Sequence, residues 1–134
     1  MPPITVKRVY DPIEKNEGAR VLVDRIWPRG ITKEQLQADH WLRDVAPSNQ
    51  LRKWFTHDPA RWEEFKLRYT EELQSNPEPI RFLLELAQEK GLVLLFAAKD
   101  VQHNQAIVLK DYLLSVTNTP RADAQAVRSL RPAA

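Results

Sequence analysis

Apolar and polar positions alternate over residues 4–9, Ile-Thr-Val-Lys-Arg-Val, the pattern of a strand with one buried face. Asp11-Pro12 then opens a polar connection that runs to Gly18. Val21-Leu22-Val23 is a short β-branched run ending on Asp24-Arg25 and predicts a second strand. Trp27-Pro28-Arg29-Gly30 predicts a turn, because Pro28 holds Trp27 extended and Gly30 tolerates a positive φ. Thr32-Lys33-Glu34-Gln35 has the spacing of a capping box and starts a short helix.

The middle of the chain predicts helices. Ser48 caps a segment ending at Phe55, and Asp58-Pro59 places a cap and a first-turn proline at the next start. Trp62, Phe65, Tyr69 and Leu73 then share one helical face, which reads as core packing. Asn76-Pro77 begins a further helix with Ile80, Leu83, Leu84 and Ala87 inward and Gly91 as its stop. Residues 92–98 are apolar without alternation, as in a central parallel strand buried on both faces. A last helix is predicted over residues 101–116, with Ala106, Leu109, Leu113 and Val116 facing in. The order predicts an α/β domain over residues 1–117, with a mostly parallel sheet flanked by helices on both faces. Residues 118–134 read as a mobile tail.

Charge sharpens this picture. The 134 residues carry a formal +2, but Arg121, Arg128 and Arg131 against Asp123 account for it. The first 117 residues hold 17 basic and 17 acidic side chains, so the domain lacks the broad positive field of a nucleic-acid binder. Cysteine is absent, which excludes disulfides, a thiolate nucleophile and Cys-type zinc sites. The three histidines lack helical zinc spacing, so no metal and no cofactor is expected. Without a secretory signal pattern or a membrane-length apolar run, the reading is cytoplasmic with no membrane partner.

Ligands of open α/β folds sit beyond the carboxyl ends of the strands, and two such ends here are polar. At the first, Asp24 is a candidate proton-transfer group, Arg25 and Arg29 are candidate anion forks, and Trp27 is a candidate ligand cover. At the second, Lys99 adds charge, His103 is a candidate proton shuttle and Asn104 a candidate ligand contact near a helix start. Each set has a plain structural alternative: an ion pair bracing the turn with Trp27 in the core, and Asp100 capping the helix. Asp58 is read as a cap beside His57, and Trp41 and Trp54 as core or cleft wall. No glycine-rich loop supports a nucleotide cradle, and Ser48 lacks a nucleophile-elbow setting.

Several long strings are distinctive together: Lys7-Arg8-Val9-Tyr10-Asp11-Pro12, Arg20-Val21-Leu22-Val23-Asp24-Arg25-Ile26-Trp27-Pro28-Arg29-Gly30, Ala46-Pro47-Ser48, Leu51-Arg52-Lys53-Trp54-Phe55 and His57-Asp58-Pro59 with Arg61-Trp62. They closely resemble the YeaO-like bacterial proteins, a branch of the domain of unknown function 488 superfamily. The resemblance implies a small Rossmann-like fold and a bacterial cytosolic setting, and it assigns no reaction. Other branches of that superfamily carry a cysteine near the end of the strand before the last helix, and a Cys-His-Arg motif at that helix. Here Ala97-Ala98 and Gln102-His103-Asn104 stand at those places, and only His103 matches. The expectation is therefore a domain holding a small phosphate- or carboxylate-bearing ligand in a cleft at the carboxyl ends of the strands, with the question of whether it is an enzyme left open. The alternatives are a non-catalytic sensor using the same pocket and a protein-interaction module without one.

Overall fold

The computed structural model describes residues 3–56 and 58–117 of the chain; the basic tail and His57 lie outside the described residues. Four strands, β1 (Ile4–Arg8), β2 (Ala19–Leu22), β3 (His40–Trp41) and β4 (Leu92–Phe96), form one sheet. All neighbouring pairs are parallel, in the order β1-β4-β2-β3. β4 is the strand read as central: it lies between β1 and β2, and all five of its residues are buried. β3 was not anticipated. It is a two-residue edge strand with both side chains exposed, too short to show a period.

The two faces of the sheet are covered unequally. Leu92, Leu94 and Phe96 of β4 join Ala19 and Val21 of β2 beneath helices α2 (Asn49–Phe55), α3 (Trp62–Gln74), α4 (Pro77–Lys90) and α5 (Gln105–Thr117). Val93, Leu95 and Leu22 face the other way, against Val9, Trp27, Ile31 and Leu36 of the one-turn helix α1 (Lys33–Leu36). Helices do lie on both faces, as expected, but most of the helical mass is on one. Among the described residues, no helix is long and apolar enough to cross a membrane.

Local chemistry explains most boundaries. Thr32 accepts the Gln35 N–H while the Gln35 side chain accepts the Thr32 N–H, a complete capping box. Ser48 accepts from Leu51 N–H to start α2, and Asp58 accepts from Ala60 N–H above the single 3₁₀ turn that leads into α3. Such caps each contribute about 1 kcal/mol. Phe65, Tyr69 and Leu73 are buried and Trp62 packs beside them, as the stripe predicted. The last helix is a correction: it begins at Gln105 rather than at 101. Asp100 takes the N–H groups of Gln102 and His103, and Asn104 then caps Ile107 N–H, so the regular helix starts one turn later. Val116 is exposed rather than inward.

The second face is held by a buried arginine. Arg20 pairs with Glu17 and donates to the carbonyls of Leu36 (2.7 Å) and Gln37 (3.2 Å), the orphan acceptors at the end of α1. Lys7 reaches the same Glu17 at 2.8 Å.

Gly18 and Gly30 separate conformational strain from crowding. Both have positive φ, +112° and +75°. A Cβ built on Gly18 would lie 2.7 Å from the Gly91 carbonyl carbon, whereas one on Gly30 meets nothing within 4 Å. Gly30→Ala is expected to cost about 1 kcal/mol, the left-handed penalty alone. Gly18→Ala is expected to cost about 3 kcal/mol, because crowding adds to that penalty. Urea denaturation of both variants checks this, and equal losses would refute it.

Candidate functional site

Val23 N–H still bonds Leu95 O (3.0 Å), so β2 and β4 run side by side to their carboxyl ends. The next residue, Asp24, turns its side chain toward β4. Its Oδ2 accepts the Ala97 N–H at 2.9 Å, and its Oδ1 accepts from the Gln105 side-chain amide on α5. Its own carbonyl accepts the Trp41 Nε1–H at 2.8 Å. One aspartate thus ties together two strand ends, the last helix and the edge strand. Burial raises its pKa from the ordinary 3.8 to about 6, against the opposing pull of the Ala97 and Gln105 hydrogen bonds.

Beside it a cleft of about 370 Å³ opens at the carboxyl ends of β2 and β4. Asp24, Arg25, Arg52, Lys99 and Gln105 supply its polar lining. Phe55, Phe65, Pro47, Ile26 and the methyl groups of Ala97 and Ala98 supply much of its apolar wall. Arg25 is fixed by the segment opposite: its Nε donates to Pro47 O (3.2 Å) and its Nη2 to Ala46 O (3.3 Å). That segment is in turn held by α3. Buried Tyr69 donates its hydroxyl to Val45 O (2.6 Å), and Glu72 accepts from both the N–H and the hydroxyl of Ser48 (2.9 and 2.6 Å). Arg25, Arg52 and Lys99 form no ion pair with a carboxylate among the described residues. Three cations therefore share one concave, largely apolar site.

Of the seven residues singled out in the sequence, Asp24, Arg25 and Lys99 line this cleft. The other four do not. Trp27 packs into the second face, donates to Ile31 O (2.7 Å) and stands edge-on to Trp41. Arg29 is exposed on the turn, where its carbonyl accepts the Tyr10 hydroxyl. Asn104 is fully buried and acts as the cap of α5, donating also to Asp100 O (2.9 Å). His103 pairs through Nδ1 with Asp100 (3.0 Å) and sits edge-on to Trp62. Trp41 and Trp54 also stay out of the cleft; Trp54 lies between the guanidinium groups of Arg61 and Arg68. Sequence reading missed Arg52 and Gln105. Each stands within the first turns of a helix, and only the fold points those turns at the strand ends.

Residues 3–130 match the family model described as "Inactive DUF488-N3 subclade". The chain belongs to the DUF488-N3i family. This DUF488-N3i chain is also 42% identical over 113 residues to the uncharacterized protein YeaO of Escherichia coli (strain K12), covering 84% of this chain and 98% of that one. It is 41% identical over 110 residues to the uncharacterized protein Rv3073c of Mycobacterium tuberculosis (strain ATCC 25618 / H37Rv), covering 82% of this chain and 92% of that one. The YeaO-like resemblance is borne out. No solved structure matches the chain.

Asp24 gives a direct pH test. Its folded-state pKa lies above the unfolded 3.8, so between about pH 4 and 6 the folded protein holds a proton that the unfolded chain releases. This group's contribution is therefore full below pH 4 and is lost as the pH rises through about 6. Carboxyl carbon NMR is expected to show Asp24 titrating near 6, and Asp24→Asn is expected to remove that component from the pH dependence of stability. A midpoint near 4 would contradict the buried geometry.

Proposed function

We propose that the cleft binds a small phosphate- or carboxylate-bearing molecule, and that this chain responds to the ligand without transforming it. The observation that carries the reading is the set of three cationic side chains, Arg25, Arg52 and Lys99, in one cleft without carboxylate partners among the described residues. Arginine held by backbone carbonyls is pre-oriented, so an anion gains its contacts with little ordering cost. The near neutrality of residues 1–117 favours a small anion over a nucleic-acid backbone. A cytoplasmic metabolite is the source this reading takes.

The non-catalytic part rests on two observations. The family description carries the word inactive. Among the described residues, the cleft lining also contains no serine, threonine, cysteine, histidine or tyrosine, and both oxygens of the Asp24 carboxylate already accept hydrogen bonds. Against this stands the raised pKa of Asp24, which is the property a general base would need.

Thermal-shift screening with inorganic phosphate, acetate and a metabolite pool, followed by turnover assays on each hit, tests both parts. Saturable stabilisation by at least one anion is expected, about tenfold weaker in Arg25→Ala, little changed in Arg29→Ala, and without conversion of the hit. Equal binding by Arg25→Ala and the parent chain would remove the proposal. Conversion of a hit that Asp24→Asn abolishes would replace sensing with catalysis.

A further inference from the structure

The donor geometry and the walls of the cleft narrow the ligand further. A guanidinium offers five N–H bonds in a fixed plane. Arg25 spends its side-on edge, Nε and one hydrogen of Nη2, on the carbonyls of Pro47 and Ala46. Its end-on edge, from Nη1 to the second hydrogen of Nη2, has no acceptor among the described residues. Two parallel N–H bonds match the two oxygens of a carboxylate.

A phosphate ester is ordinarily met by several backbone N–H groups, from a glycine-rich loop or an open helix start. No glycine-rich loop is present among the described residues of the cleft. No glycine lines it. Of the N–H groups around the start of α5, those of Gln102 and His103 are taken by Asp100 and that of Ile107 by Asn104. The polar groups left over would also serve a hydroxyl-rich molecule poorly, since Asp24 and Gln105 bond to each other. The remaining wall is apolar: the Pro47 ring, the alanine methyls, Phe55, Phe65 and, at the rim, Ile26, which is 61% exposed. A volume of about 370 Å³ suits a compact body.

We infer that the ligand is a monocarboxylate with a compact aromatic or branched apolar body, its carboxylate on the end-on edge of Arg25 and its body against the Ile26–Pro47–Ala98 wall. This rests on the anion-binding reading above and adds the class of molecule.

Calorimetric titration of the full chain with phenylacetate, acetate and phenyl phosphate tests it. Phenylacetate is expected to bind about tenfold tighter than acetate, because ring burial adds to the shared carboxylate contact, and tighter than phenyl phosphate. Ile26→Ser, an uncharged change at an exposed rim position, is expected to weaken phenylacetate at least about fivefold and acetate far less. Saturation-transfer NMR is expected to light up the ring protons in the parent chain and much more weakly in Ile26→Ser. Equal affinities for acetate and phenylacetate would overturn the apolar part and leave the anion site standing. Tighter binding of phenyl phosphate would overturn the choice of carboxylate. Failure of all three to bind would overturn this inference, and if the thermal-shift screen also yields no anion, the anion-binding reading falls with it.

Discussion

The bond from Ala97 N–H to the Asp24 carboxylate is where the two central strands stop being a sheet and become a site. Backbone pairing between β2 and β4 ends with Val23 N–H on Leu95 O, and the next strand-end donor, at half-buried Ala97, would otherwise lack a partner within the protein. A buried amide without an acceptor costs about 1–3 kcal/mol, so an acceptor must come from somewhere. Asp24 supplies it, and in doing so draws in Gln105 from α5 and keeps its own carbonyl aimed at Trp41. The Gln105 bond adds a polar tie to the apolar packing of Ala106, Val108, Leu109 and Leu113 that seats the last helix against the sheet.

The second constraint works from the opposite wall. Tyr69 and Glu72 of α3 hold residues 45–48 by their backbone and by Ser48, and the carbonyls this exposes hold the Arg25 guanidinium. The arginine is thus fixed by neutral acceptors, which direct it without cancelling its charge. That distinguishes it from Arg20, buried on the other face against Glu17, where charge is neutralised and the residue serves to close α1. Both arginines, five positions apart in one strand-and-turn segment, donate to backbone carbonyls, but only Arg20 also has a carboxylate partner.

Much of the fold was legible in the sequence because its signals are local. The apolar run from Leu92 to Phe96, the capping box at Thr32, and the caps at Ser48 and Asp58 each state their structure within a few residues. The site was legible only in part. Asp24, Arg25 and Lys99 were visible because polar residues at strand ends are unusual in a parallel sheet. Trp27 and Arg29 follow in the same string, but the turn packs Trp27 into the second face and leaves Arg29 exposed, a change of direction that periodicity does not record. Asn104 and His103 were placed at an open helix start, whereas Asp100 and Asn104 themselves close it. Arg52 and Gln105 carry no local mark, since their place in the cleft depends on how α2 and α5 pack.

Anions are expected to meet this protein in the cleft beside Asp24 and not on the neighbouring turn. Amide NMR during an acetate titration reads that directly. Saturable shifts are expected at Arg25, Ile26, Ala98 and Lys99 and at the Gln105 side-chain amide. Shifts centred on Arg29, or spread without saturation over surface lysines, would contradict it.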